Sequence, residues 1–99
     1  MEDSFKFVKN ADITGTFFRK ELEERLFDKI KKHFSDNPDY TPEEDEKGYT
    51  YENFVFENKN KIILTVYTRW GIPRIGGGSK LLKQDIEEFE NWIDQFEGE

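Results

Sequence analysis

The chain has 99 residues, the length of one small domain with a single hydrophobic core, and we expect that domain to span residues 1–99. It contains no cysteine, which excludes disulfides, thiolate metal sites and cysteine nucleophiles. Its formal net charge of -7 disfavours nucleic acid and anionic membranes as partners and favours a basic protein. Because no apolar run resembles a secretory signal or a membrane span, a cytoplasmic location is expected.

The charges are distributed unevenly along the chain. Residues 35–46 contain six acids and no base, and residues 85–99 contain seven acids and no base. Residues 59–83 contain six bases and no acid. This segregation predicts separate surfaces of opposite charge on one small molecule.

The first third of the chain predicts a strand, a helix and a loop. Apolar residues alternate with polar ones at positions 5–7, which predicts a short strand with one buried face. Thr16 is a candidate N-cap for a helix, since apolar residues recur every four positions over 18–34. The segment at about 35–47 contains two prolines and six acids, which predicts a mobile acidic loop.

The middle of the chain predicts a β-hairpin. Residues 49–70 contain two runs rich in β-branched and aromatic side chains around a polar centre. We expect a loop of Asn58, Lys59 and Asn60 with Asn60 in the left-handed conformation, which places Phe56 opposite Ile62. Even-numbered positions then face the core, and odd-numbered positions, including three tyrosines, form the other face.

The last third predicts a basic loop and a second helix. The stretch 69–80, RWGIPRIGGGSK, has four glycines, three basic residues and no acid, and is expected to be a flexible loop. Apolar residues then recur with helical spacing over 82–96, with Ser79 or a capping box at Asp85 as alternative helix starts. The order β-α-β-β-α predicts an α+β two-layer sandwich, with a small antiparallel sheet and both helices on one face. The tyrosine-bearing face is then left to solvent or a partner.

The chain offers few groups for catalysis. His33 lies near the predicted helix end, where a structural role is expected because no nucleophile or acid is placed beside it. Pro38 and Asp39, followed by Glu57 and Lys59, have the outline of a metal-dependent nuclease pattern. That pattern needs rigid placement on adjacent strands, and here it falls in a loop and at a hairpin tip. We therefore expect no catalytic residue, no metal site and no cofactor.

The first candidate surface combines the acidic loop with the tyrosine face. Tyrosine, tryptophan and arginine are enriched at the centres of protein interfaces, and carboxylates attract basic partners. The predicted partner-binding residues are Asp39, Glu43, Glu44, Asp45, Glu46, Tyr49, Tyr51, Tyr67, Arg69 and Trp70. The alternatives are that the acidic loop covers this face, that the rings pack on one another, or that the face joins copies of the chain in a homo-oligomer.

The second candidate surface is an anion site in the glycine-rich loop. Residues 71–76 approach the spacing of a phosphate-binding loop, but Gly77 stands where the lysine is required, so that match fails. Backbone N–H groups and nearby cations predict a general anion site instead. Its residues are Arg74, Gly76, Gly77, Gly78, Ser79 and Lys80. The alternative is that the glycines only let the chain turn.

These surfaces predict a non-enzymatic acidic binding protein that inhibits or sequesters a basic protein, as inhibitors, immunity proteins and nucleic-acid mimics do. The main alternative is a small-ligand binder that holds an anionic metabolite or nucleotide at residues 69–80, either within one chain or between subunits. A divalent-metal nuclease is the remote alternative. Neither direct nucleic-acid binding nor a membrane partner is expected.

Overall fold

The computed structural model describes residues 4–8, 17–37, 43–44, 46–48, 50–69 and 71–96. Among these residues, no helix is long and apolar enough to cross a membrane. The strands are Phe5–Val8 (β1), Phe17–Glu21 (β2), Glu43–Glu44 (β3), Thr50–Tyr51 (β4), Asn53–Asn58 (β5), Ile63–Arg69 (β6) and Ile72–Gly77 (β7), and the helices are Glu24–Phe34 (α1) and Lys83–Asp94 (α2).

Five strands form one antiparallel sheet in the order β1-β5-β6-β7-β2. Strand β6 is central, and β1 and β2 are the two edges. Strands β3 and β4 form a separate two-stranded hairpin. The predicted α+β class with a small antiparallel sheet is confirmed, although the element order contains more strands than the predicted β-α-β-β-α.

The core lies between the two helices and one face of the sheet. The sheet contributes the fully buried side chains of Phe54, Phe56, Leu64, Val66 and Ile75. The helices contribute Leu26, Phe27 and Ile30 from α1, and Ile86, Phe89, Trp92 and Ile93 from α2. Aromatic rings join the two layers, with the Phe56 and Phe89 centroids 4.9 Å apart. Both helices therefore cover the same face, as the two-layer prediction requires.

The helix predicted from Thr16 begins later than expected. Residues 17–21 form β2, which pairs with β7, and α1 begins at Glu24. The backbone continues this pairing past the strand, since Leu22 N–H donates to Pro73 O at 3.0 Å. The four-residue spacing was misleading because, without β2, β7 would be an edge strand with unpaired backbone groups. Pairing of residues 17–21 with that edge satisfies those groups, whereas a helix starting at Thr16 would leave them unpaired.

The glycine-rich stretch predicted as a flexible loop contains β7, which lies between β6 and β2. Gly77 allows a close approach there: a Cβ at this position would lie 2.8 Å from the Ile63 carbonyl oxygen and 2.8 Å from Leu81 Cδ2. Only glycine fits such a contact without displacing backbone. The prediction of a loop was wrong because a strand that ends in two consecutive glycines lacks the usual side-chain signal.

The β5–β6 hairpin forms in a register two residues away from the predicted one. Phe56 pairs with Leu64 and not with Ile62. Because side chains alternate along a strand, a shift of two residues keeps every side chain on its predicted face. The predicted core positions Phe54, Phe56, Leu64 and Val66 are therefore buried despite the incorrect pairing, and Ile62 is partly buried.

Asn58 sets this register by closing the loop. Its N–H donates to Ile62 O at 3.0 Å, and its Oδ1 accepts from the N–H groups of Asn60 at 2.8 Å and Ile62 at 3.0 Å. The loop therefore consists of residues 59–61, and Lys61, not Asn60, takes the left-handed conformation with φ of 65°. The prediction missed this because it placed Asn58 inside the loop, where its side chain could not act as the closing group.

Candidate functional site

Part of the predicted acidic loop forms a short two-stranded hairpin. Glu43 pairs with Tyr51 and Glu44 pairs with Thr50, and the turn between them passes through Gly48 at φ of 87°. We call β3, β4 and the turn 46–48 the acidic hairpin. The side chains of Glu44 and Glu46 are exposed. This hairpin thus presents carboxylates from a folded support.

The acidic hairpin lies at the end of the central strand β6. β4 contacts β6, and Glu52, which separates β4 from β5, pairs with Thr68. Thr68 N–H donates to Glu52 O at 3.1 Å, and Glu52 N–H donates to Thr68 Oγ1 at 3.1 Å. The Glu52 carboxylate also lies 3.7 Å from Lys31 Nζ on α1. These contacts fix the acidic hairpin beside the last residues of β6.

The sheet face opposite the helices, which we call the outer face, carries the odd-numbered positions of β5 and β6. Tyr67 lies on this face with Asn53 of β5 on one side and Arg74 of β7 on the other. All three side chains are half-buried. Tyr67 is two residues from the end of β6, so it lies at the same end of the sheet as the acidic hairpin.

The outer face is open only near its margins. Val55 and Thr65, at its centre, are 3% and 1% exposed, whereas Ile63 and Ile72 are 40% and 39% exposed. Thr65 lies between the longer side chains of Ile63 and Tyr67 along β6. The expectation of a face left wholly to solvent or a partner is therefore wrong for its centre. The exposed part of this face is therefore at its two ends, around Ile63 at one end and around Tyr67 and Ile72 at the other.

The structure places three predicted partner-binding side chains, those of Glu44, Glu46 and Tyr67. Of a further three, Glu43, Tyr51 and Arg69, it describes the strand backbone. The remaining four, Asp39, Asp45, Tyr49 and Trp70, lie outside the described residues. The described members share one end of the sheet, so they are brought together in the way that a joint surface requires.

The predicted anion-site residues are not gathered in one loop. Gly76 and Gly77 lie inside β7 and pair with strands on both sides, so their backbone groups are directed along the sheet. Arg74 lies on the outer face, and residues 78–80 form an exposed turn after the strand. Helix α2 begins at Lys83, so this turn does not provide a helix N-terminus. The anion site stays a prediction for residues 78–80.

Two acids of α2, Glu90 and Asp94, form ion pairs with basic side chains of neighbouring elements. Glu90 Oε2 lies 3.0 Å from Lys20 Nζ on β2, and Asp94 Oδ1 lies 2.6 Å from Arg25 Nη1 and 3.6 Å from Lys29 Nζ on α1. The hydrogen bond from Arg25 holds the pKa of Asp94 below its usual value of 3.8. These pairs join elements far apart in the sequence, which is why sequence reasoning missed them. Part of the negative charge of α2 is thus already neutralised.

Potential catalytic groups do not converge within the described residues. No cluster of three or more His, Asp or Glu side chains there could hold a metal ion. The His33 ring is stacked among aromatics, 4.4 Å from the Phe96 centroid and 4.8 Å from that of Phe34. Glu57 lies in β5 and pairs with Lys61 at 3.5 Å, while Asp39 lies outside the described residues.

A cavity of about 360 Å³ lies between β2 and the first turns of α2. The residues that line it are Lys20, Lys83, Ile86, Glu87 and Glu90. Two cations and two carboxylates surround it, and the Lys20–Glu90 ion pair already occupies one of each. Its charge is balanced, so it selects for neither an anion nor a cation.

Comparison with protein-family models, curated proteins and solved structures finds no match to this chain. Its function must therefore be argued from its own surfaces.

Proposed function

We propose that this chain is a non-enzymatic binding protein that inhibits or sequesters a basic protein partner. The surface involved is the acidic hairpin together with the outer face around Tyr67. The observation that carries the proposal is the packing of the acidic hairpin against the end of β6, where Glu52 and Thr68 exchange two hydrogen bonds. This packing holds exposed carboxylates at the end of the sheet where Tyr67 lies.

Electrostatics and composition support this surface over the others. Glu44 and Glu46 are exposed, and among the described residues neither carboxylate forms an ion pair, so both are available to lysine or arginine side chains. Carboxylates at the rim of an interface accelerate association, while apolar anchor groups near its centre, most often aromatic, supply much of the affinity. Tyr67 and the exposed Ile72 provide such groups at the same end of the sheet.

The cellular location and the kind of partner are proposed from the sequence alone. The absence of cysteine suits a reducing cytoplasm, where we place the protein. The net charge of -7 favours a basic partner, such as a nucleic-acid enzyme or a toxin, whose active cleft would be covered by acids that replace phosphates.

Affinity capture with a matched variant tests the proposal. The full chain is immobilised and exposed to a lysate of the cells that express it, at about 50 mM and about 200 mM salt. We expect a basic protein to be retained at one-to-one stoichiometry by native mass, and to be lost at the higher salt. The double variant Glu44→Gln/Glu46→Gln should retain much less of it.

The control is Glu87→Gln/Glu88→Gln, which makes the same change in net charge on exposed positions of α2. It should retain the partner nearly as well as the unmodified chain. Equal losses in both double variants would show a nonspecific charge effect, and retention of acidic proteins or of no protein would contradict the proposal.

The small-ligand alternative has less support, because Gly76 and Gly77 lie within the sheet. It would predict a bound anion in the native mass spectrum and loss of that anion in Lys80→Ala. A homo-oligomer through the outer face would appear in the same spectrum as a multimer of the chain.

A further inference from the structure

The end of the sheet opposite the acidic hairpin carries a cluster of lysines. Lys59 and Lys61 lie in the β5–β6 loop, and Lys80 and Lys83 lie on either side of Leu82 at the start of α2. We call these five residues the lysine end. All five are exposed, and the Leu82 side chain is 60% exposed.

One carboxylate joins the two segments of the lysine end. Asp85 Oδ2 accepts from Leu82 N–H at 2.9 Å, and Asp85 Oδ1 accepts from Asn58 Nδ2 at 3.3 Å. Asn58 in turn closes the loop that carries Lys59 and Lys61. The loop and the start of α2 are therefore held side by side, which brings their lysines to the same end of the sheet.

Two residues at this end are not those that would best stabilise the start of α2. Leu82 is the N-cap of α2, yet a leucine has no side-chain acceptor for the helix N–H groups and here remains largely exposed. Lys83 places a cation in the first turn, where it opposes the helix dipole. Locally unfavourable residues that occur together are typical of a surface used for binding.

The charge of the lysine end differs from that of the whole chain. Among the described residues, no ion pair involves Lys59, Lys80 or Lys83, whereas Lys61 lies 3.5 Å from Glu57. At about 3.3 Å per strand residue, the acidic hairpin lies about 25 Å away from the loop. That separation is about three times the screening length of about 8 Å at physiological salt, so the acidic hairpin does little to weaken an anion bound here. The acids close to the lysine end are Asp85, whose oxygens accept from Leu82 N–H and Asn58 Nδ2, Glu57, which pairs with Lys61, and Glu87, which lines the same cavity as Lys83.

We propose that the lysine end binds the surface of an anionic lipid bilayer, with Leu82 inserted among the headgroups. The expectation that no membrane is a partner rested on the net charge of the whole chain. Because the acidic hairpin and the lysine end lie far apart, the net charge is a poor guide to what the lysine end binds. Lysine and leucine are scarce at the centres of protein interfaces but are typical of peripheral membrane contacts. The lysine end contains neither the arginines that read nucleic acids nor an aromatic ring for stacking on bases.

Vesicle flotation with the full chain tests this proposal. Phosphatidylcholine vesicles with and without phosphatidylserine are compared at about 50 mM and about 200 mM salt. We expect binding only to the phosphatidylserine vesicles, weaker at the higher salt. Lys80→Gln and Lys83→Gln should each lower the partition coefficient about fivefold. Lys32→Gln makes the same charge change at an exposed position of α1 and should have little effect.

Leu82→Ser separates a binding role from a structural one. Serine is a better N-cap than leucine, so this variant should unfold at no lower temperature than the unmodified chain and yet bind vesicles more weakly. Absence of binding to phosphatidylserine vesicles at low salt would overturn the proposal, as would unchanged binding by Leu82→Ser. So would equally tight binding to polyglutamate or to an oligonucleotide, which would assign this surface to an acidic protein or a nucleic acid. Glu44→Gln/Glu46→Gln should still bind vesicles, so this test is independent of the proposed protein partner.

Discussion

Replacing Gly77 with alanine should destabilise the fold by overpacking. The added Cβ would lie 2.8 Å from the Ile63 carbonyl oxygen, 2.8 Å from Leu81 Cδ2 and 3.3 Å from Leu81 Cβ. Leu81 can move slightly, but the carbonyl belongs to the central strand β6 and cannot. Overpacking of this kind costs about 1–3 kcal/mol. For a domain of this size, a loss of about 2 kcal/mol lowers the unfolding temperature by about 10 °C.

Gly78→Ala is the matched control for this measurement. Gly78 is exposed, and a Cβ there would meet no atom within 4 Å. We expect its free energy of unfolding in urea to change by less than about 0.5 kcal/mol. Equal stability of the two variants would refute the packing argument. Equal loss of a bound anion in both, with no change in stability, would instead favour the glycine-rich anion site.

Three further predictions concern stability. Asn58→Ala should lower the free energy of unfolding by about 1–3 kcal/mol in urea, since two loop N–H groups and Asp85 lose a hydrogen-bond partner. Leu82→Ser should raise it by about 0.5–2 kcal/mol through N-capping, measured the same way. Because Arg25 lowers the pKa of Asp94 in the folded state, this pair stabilises the fold above pH 3.8 and the stabilisation is lost as the pH falls further. The stability difference between the unmodified chain and Asp94→Asn should therefore disappear in acid-dependent unfolding curves.

Elements with a strong local pattern were predictable from the sequence. The apolar spacing over 82–96 identified α2, which spans Lys83–Asp94, and the aromatic runs identified β5 and β6. Face assignment survived an incorrect register because alternation depends only on odd and even positions. The fold class followed from these elements, since two amphipathic helices must cover one face of a sheet.

Elements that depend on distant partners were not predictable in this way. β7 forms because it pairs with β6 on one side and β2 on the other, and β2 forms because it pairs with β7; neither segment alone has a clear strand pattern. For the same reason, the helical spacing over 18–34 misplaced the start of α1. Non-local pairing is a property of the folded chain and leaves little signal in a single short window.

For the candidate surfaces too, local features were predictable from the sequence and features that depend on tertiary contacts were not. Clusters of like charge are visible in the sequence, and Glu44 and Glu46 do lie at the end of the sheet opposite the lysine end. Arg69 and Arg74, from the same basic stretch as the lysines, lie nearer the acidic hairpin. Which charges remain available depends on tertiary contacts. The Arg25–Asp94 pair joins residues 69 positions apart, so no local sequence pattern predicts it. Leu82 lies between two lysines in the sequence, but only its exposure in the fold indicates that its side chain can contact a binding partner.

Mapping the partner complex by NMR tests the central claim most directly. The isotope-labelled chain is titrated with the captured basic protein, and amide shifts are followed residue by residue. The proposal predicts the largest changes at Glu44, Glu46 and Tyr67, with the lysine end unaffected. Changes confined to the exposed side of α2 or to the turn 78–80 would contradict it.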